Sequence, residues 1–299
     1  MGTVIRFLAS CALKFSAVVF TGVSNTNLPQ ITHYNYIILN NETRDLMLSY
    51  KHYPSTRTNK SPLLIVHGLY GSARNWGVIS KRLANEREVY AVDQRNHGDS
   101  PWRETQNYFD MAEDLKEFLE NFGPMAVLGH SMGGKAAMVL SILEPNLVEK
   151  LIIADIAPVS YSHDNVKYIR AMKNVKLDTI ETRGDVLSQL AQIVPEPELQ
   201  SFFAQSLDLK TKSWKLNLDV LEREMDNIVS FPNLSGNYEK ASLFLSGALS
   251  DYLTISHRPK IRKLFSNAKF AKITNAGHWL HAEKPREFET AVRSFLNDI

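Results

Sequence analysis

The sequence predicts an α/β protein: a mostly parallel sheet with helices on both faces and a helical cap insertion. Three observations carry this prediction. Short, continuous apolar runs of strand length recur along the chain, separated by segments whose apolar residues fall at helical spacing. Strands that alternate with helices pair in parallel through right-handed crossovers and are buried on both faces. The alternation stops after Pro158 and resumes near Ser242, a gap too long for a plain loop.

Taken in order, residues 36–39 and 46–50 read as a hairpin around Asn40 and Asn41. Leu63–Val66 is apolar at every position, the mark of a strand buried on both faces. Trp76, Ile79 and Leu83 recur at helical spacing, and residues 88–92 form the next strand. Met111, Leu115, Phe118, Leu119 and Phe122 stripe a helix. Residues 125–128 are a third buried strand, followed by a buried helix over 134–143, and residues 151–154 are a fourth. From 159 to 240 the chain is polar and helical in tendency, with breaks at Pro195, Pro197, Pro232 and Gly236. Residues 242–245 restore the strand pattern, and Ala268–Ile273 is the last strand. Phe288, Val292, Phe295 and Ile299 stripe a terminal helix.

The domain reading follows: a core over 31–158 and 241–299, and a cap over 159–240. The cap covers the C-terminal edge of the sheet, where open α/β sheets place their ligands. Its Phe202, Phe203, Trp214 and Met225 either line an acyl pocket or form the core of the cap, and the core is the favoured place for each.

The 299 residues carry a net charge of +2, with 44% apolar and 22% charged residues, a soluble globular balance. The charge selects no partner, and no dense Lys/Arg cluster points to nucleic acid. Cys11 is the only cysteine, which excludes an internal disulfide and a cysteine-based metal site. Residues 1–30 differ from the rest. Up to Thr21 they hold Arg6 and Lys14 and no acid, and the first acid in the chain is Glu42. A basic, acid-free, amphipathic N-terminus suits a mitochondrial presequence. A secretory signal, a membrane anchor and a plain tail are the alternatives. Lys14 interrupts the apolar run, which weakens the anchor, since a span needs about 20 apolar residues. Arg6 stands where myristoylation needs Ser or Thr.

The chemistry centres on Gly129, His130, Ser131, Met132 and Gly133. This G-x-S-x-G pattern lies between a strand and a helix, the setting of a nucleophile elbow. The turn is too tight for side chains at its glycines, and it strains Ser131 so that its hydroxyl stands off the sheet edge. A serine needs a base, and the base needs a carboxylate to orient it. His278 follows the last strand, where the base belongs in the order serine, acid, histidine. It is favoured over His281 because Gly277 permits the turn that aims its neighbour. His281 is either a surface residue or the base itself. Two acids fit by spacing: Asp155, ending the strand after the elbow, and Asp251, next to Ser250 after the cap. Spacing does not choose between them. An oxyanion needs two N–H donors, and the Met132 and Leu69 amides are placed to supply them. His67 and Tyr70 read as loop hydrogen-bonders, and residues 93–100, with His97, as a structural loop beneath the site. No histidine cluster suggests a metal, no phosphate loop is present, and no cofactor is expected.

These residues together resemble a known family. The carriers are His67 to Ser72 with Asn75 and Trp76, Asp93 to Pro101, Gly129 to Lys135, Asp155 to Pro158, and Ala276 to Trp279. The chain resembles the alpha/beta-hydrolase superfamily, in the branch of alpha/beta-hydrolase domain-containing protein 11, a bacterial esterase and the yeast ethanol acetyltransferases. The resemblance runs from Pro62 to the C-terminus and is least in the cap. It implies an alpha/beta-hydrolase fold and a serine hydrolase of carboxylic esters, with lipid or acyl esters as small-molecule substrates. It implies Asp155 as the acid beside Ser131 and His278, with Ser250 as a fourth member; Asp251 departs from the pattern. Transfer of the acyl group to an alcohol on the same residues is the alternative activity. The resemblance further implies a mitochondrial address. It also implies an association with the 2-oxoglutarate dehydrogenase complex, so a stabilising role in that complex is a second alternative.

Overall fold

The structure, a computed structural model, describes residues 47–57, 59–162 and 164–298. The expected N-terminal targeting segment (1–30), Cys11 and the first arm of the expected hairpin (36–39) lie outside the described residues. Seven strands form one sheet: β1 (Tyr50–Tyr53), β2 (Leu63–Val66), β3 (Val89–Val92), β4 (Met125–His130), β5 (Val148–Ala154), β8 (Ser242–Gly247) and β9 (Ala268–Ile273). Their spatial order is β1-β3-β2-β4-β5-β8-β9. Only the β1–β3 pair is antiparallel.

The inner strands β2, β3, β4 and β8 are buried at every position because both faces of the sheet are covered. Leu63, Ile65, Val89, Ala91, Ala126, Leu128, Ile152 and Ala154 point to one face. There they meet Ile79 and Leu83 of the helix Gly77–Leu83, and Phe288, Val292 and Phe295 of the helix Pro285–Asn297. The alternate residues Leu64, Val66, Val92, Val127, Leu151 and Ile153 point to the other face. That face carries the helices Tyr108–Phe122, Met132–Leu143 and Arg258–Leu264. The helix Tyr108–Phe122 starts where the Asn107 side chain accepts from the Phe109 and Asp110 amides, and stops at Gly123 (φ 89°).

Three expectations need correction. The second hairpin arm was expected at 46–50, but β1 begins at Tyr50 and runs to Tyr53. Its register is fixed by β3, with Tyr50 opposite Val92 and Tyr53 opposite Val89. Between β5 and β8 the chain is not purely helical. Five helices (Val166–Lys173, Arg183–Leu190, Pro197–Ala204, Leu218–Arg223 and Met225–Val229) accompany a small antiparallel ribbon, β6 (Leu207–Asp208) with β7 (Ser213–Trp214). Strands of two residues leave no periodicity to read. The helix behind Ser131 begins at Met132, two residues before the expected start. Among the described residues no helix is long and apolar enough to cross a membrane.

Candidate active site

The register of the central strands brings the site together. His130 pairs with Ala154, and Ala154 with Leu245. The next residues, Ser131 and Asp155, therefore leave adjacent strands side by side. Both have positive φ (51° and 53°), which is uncommon outside glycine. The Ser131 amide donates to the Ala154 carbonyl (3.1 Å), and the Asp155 amide to the Leu245 carbonyl (2.8 Å). The elbow also depends on close backbone approach. A Cβ at Gly129 would fall 2.4 Å from the Gly133 carbonyl oxygen, and one at Gly133 would fall 2.4 Å from the His67 carbonyl oxygen.

His278 completes the group from across the sheet. Its Nε2 accepts from the Ser131 hydroxyl at 3.0 Å. Its Nδ1 donates to Asp155 Oδ2 at 2.8 Å. A carboxylate only accepts, which fixes the proton on Nδ1 and leaves Nε2 free to take one. Asp155 is wholly buried. Its Oδ1 accepts from the Gly247 amide (3.0 Å), and its Oδ2 also accepts from the Ser250 hydroxyl. Asp251, the equal alternative on spacing, is exposed. The turn before His278 is made differently from the sequence expectation. Its left-handed residue is Asn275 (φ 55°), not Gly277. Glycine is required instead at Gly247, where a Cβ would lie 2.2 Å from the Gly277 carbonyl oxygen.

Around this chain of contacts lies a supporting set that the sequence did not single out. His130 Nε2 donates to the His278 carbonyl (2.9 Å) and ties the late loop to the elbow. The Tyr252 ring stacks on the His278 ring, with centroids 3.9 Å apart. Tyr161 accepts from the Ala157 amide and donates to the Tyr252 carbonyl. Lys135, almost wholly buried, donates to the Val229 and Ser230 carbonyls. The signals were present but unspecific: His130 is the variable residue of the pentapeptide, and Lys135 is the residue after its glycines.

Three further histidines, His67, His97 and His281, are fixed by burial. His67 Nδ1 donates to the Gly68 carbonyl while its Nε2 accepts from the Gln94 amide. His97 Nδ1 donates to the Arg95 carbonyl while its Nε2 accepts from the Tyr70 amide. Burial pulls the pKa of His67 down to about 4 and that of His97 to about 3. His281 is not a surface residue: it is buried and stacks on Trp76 (4.1 Å), while the Ser131 hydroxyl bonds to His278. Burial, reinforced by His278, pulls it down to about 3.

A cavity of about 340 Å³ opens over Ser131 and His278. Leu69 and Met132 line it at the elbow, and Tyr161, Phe202, Phe203 and Ile228 enclose its far side. Phe202 and Phe203 line the pocket, Phe203 as a buried core residue as well, whereas Trp214 and Met225 are buried core residues that do not line it. Among the described residues no group of three or more His, Cys, Asp or Glu could hold a metal ion. A serine hydroxyl bonded to an imidazole that a buried carboxylate holds is the arrangement that nucleophilic catalysis uses. The apolar pocket beside it suits an acyl chain.

Comparison with known proteins shows the family of the chain. A family model described as alpha/beta hydrolase fold matches residues 61–285. The sn-1-specific diacylglycerol lipase ABHD11 of Mus musculus is 38% identical over 270 residues, covering 86% of this chain and 87% of its own. The esterase YbfF of Escherichia coli K12 is 36% identical over 245 residues, covering 80% of this chain and 94% of its own. Among solved structures, a marine microorganism esterase superposes with a TM-score of 0.79 at 37% identity, covering 83% of this chain and 99% of its own.

Proposed function

The chain belongs to the alpha/beta-hydrolase family and is an ester hydrolase, and from that premise we propose that it cleaves lipid acyl esters through an acyl-enzyme on Ser131. The observation that carries the reading is the unbroken series of contacts from the Ser131 hydroxyl through His278 to Asp155. Ser131 Oγ attacks the acyl carbonyl as His278 Nε2 takes its proton. The imidazolium that forms is stabilised by Asp155, which Gly247 and Ser250 hold in place. The Leu69 and Met132 amides receive the oxyanion, the second from the first turn of a helix, where N–H groups have no partner within the helix. His278 then protonates the leaving alcohol. Water, deprotonated by the same nitrogen, releases the acid.

Apolar lining and a lipase among the relatives favour an acylglycerol-like ester over a small polar one. The test is Ser131→Ala in the full chain, assayed on p-nitrophenyl esters and on a diacylglycerol, with fluorophosphonate labelling. We expect turnover to fall by about 10³-fold or more and labelling to vanish. Retained labelling and turnover would overturn the assignment.

A further inference from the structure

Between Asp251 and Glu283 the chain has no acidic residue but six basic ones: Arg258, Lys260, Arg262, Lys263, Lys269 and Lys272. All six are exposed. Some cations elsewhere are held by two carboxylates, as Arg95 is by Asp110 and Asp114, and Arg293 by Glu86 and Glu289. Among the described residues only Lys269 of the six meets a carboxylate, that of Asp298. Arg258 and Arg262, one helical turn apart, both lie over the Phe270 ring, at 4.7 and 5.7 Å. Lys272 is two residues beyond Phe270 on β9 and so shares its face. Arg258, Arg262 and Lys272 therefore share the Phe270 face of the edge strand, Lys260 and Lys263 stand on the same helix as the arginines, and Lys269 leaves the strand on its other face. They are spaced too widely to form a dense cluster in the sequence.

Exposed apolar residues stand at the start of this stretch, Ile255 within it and Leu249 just before the exposed Asp251. Leu249 is 75% exposed and Ile255 72%, the most exposed large apolar side chains among the described residues. Ile255 opens the turn Ile255–His257 that leads directly into the basic helix. Between Leu249 and Ile255 stand Ser250, which donates to Asp155, and Tyr252, which stacks on His278 and lines the pocket. A lone exposed leucine needs no explanation, and lysines on an edge strand also discourage strand pairing. Neither reason accounts for two exposed apolar side chains beside unopposed arginines at the wall of an acyl pocket.

We propose that the face from Leu249 to Lys272 docks on an anionic lipid surface. Leu249 and Ile255 enter the interface, and Arg258, Lys260, Arg262 and Lys263 lie on the headgroups. Charge complementarity selects the negative sign of the surface. The apolar pair beside the pocket wall selects lipid over an acidic protein. Docking would present the pocket to esters held in the bilayer, a purpose that rests on the ester-hydrolase reading.

The test is sedimentation of the full chain with vesicles of phosphatidylcholine, alone or with about 30 mol% phosphatidylserine. We expect binding to the anionic vesicles only, weakened by added salt. R258E/R262E and, separately, K260E/K263E should lower the partition coefficient about tenfold or more. Leu249→Ser with Ile255→Ser should lower it as well, and all variants should keep soluble p-nitrophenyl ester turnover within about twofold. The lysine pair makes no ring contact, so its variant controls for any loss of folding on removing the Arg–Phe270 packing. The N-terminal residues are common to every variant, so the difference between variants reports this face alone. Binding unchanged in both charge variants, equal binding to neutral vesicles, or binding of polyglutamate without binding of vesicles would each overturn the proposal. A wild-type chain that binds anionic vesicles as described but turns over no ester would support docking and sink the hydrolase reading alone.

Discussion

Two strained residues stand at the centre of the proposed site. Ser131 and Asp155 each hold a positive φ at the end of neighbouring strands, a conformation that costs about 1–3 kcal/mol per residue and persists only where its surroundings enforce it. Ser131 is legible in the sequence because everything that marks it lies within a few residues. Asp155 is not legible by spacing, because its partners Gly247, Ser250 and His278 lie 92, 95 and 123 positions later in the chain. Only the family resemblance favours it over Asp251. Asp155→Asn should lower kcat/KM for a soluble ester by about 10³- to 10⁴-fold, since an amide in place of Oδ2 favours the wrong tautomer of His278. Asp251→Asn should stay within about twofold. A larger loss for Asp251→Asn in the same assay would reverse the assignment. Gly247→Ala is the matching structural test. Its Cβ would meet the Gly277 carbonyl at 2.2 Å and push the His278 loop away, so stability should fall by about 1–3 kcal/mol and kcat should fall with it. A wild-type melting curve and wild-type kcat for Gly247→Ala would show that the loop does not depend on this contact.

Strands buried on both faces are the elements the sequence displays best. Leu63–Val66 and the core of β4 are apolar at every position, so they can be read without knowing their partners. β1 is harder, because it is an edge strand with Lys51 and His52 exposed, and its limits are set by β3 rather than by its own pattern. The helix Met132–Leu143 shows a different limit. It is buried along most of its length, yet it contains Lys135, which is 1% exposed and has no carboxylate partner among the described residues. Its reason lies elsewhere in the chain: two carbonyls at Val229 and Ser230, and the rings of Tyr108 and Tyr161 at 5.5 and 4.8 Å. Burial, with Lys260 adding to it, pulls its pKa down to about 7. Lys135 therefore pins the chain that follows Ile228 against the elbow helix, and that chain is a wall of the pocket. Lys135→Met leaves two carbonyls without their donor and should cost about 1–3 kcal/mol of stability in urea denaturation. It should raise KM for long acyl esters more than it lowers kcat, because the wall loosens while the contacts of Ser131 remain. An equal loss in kcat with KM unchanged would place Lys135 in the chemistry instead.

For the molecule as a whole, the buried histidines tie folding to pH. Nine histidines look alike in the sequence, and only tertiary burial separates them. His67, His97, His130 and His281 are all buried. Burial is the largest cause of lowering in each: His67 to about 4, His97 and His281 to about 3, and His130 well below its ordinary 6.5. Their folded values lie below the unfolded value, so each contributes fully only while it is neutral in both states, above about pH 6.5. As pH falls from there toward about 4, the unfolded chain takes up protons that the folded chain refuses, and stability falls. Each histidine contributes a slope of about 1.4 kcal/mol per pH unit in that window, so four together approach about 5 kcal/mol per unit. Glu86, held down to about 2 by hydrogen bonds from Asn297 and Lys60, adds a loss of the same sign at still lower pH. We therefore expect a melting temperature at pH 5 at least about 10 °C below that at pH 7.5, followed by tryptophan fluorescence, which Trp76 reports from its stack on His281. His97→Asn, which removes one titrating ring, should flatten the pH dependence even where it lowers stability at pH 7.5. A melting temperature that is level between pH 7.5 and 5 would mean that these rings take up protons within the fold.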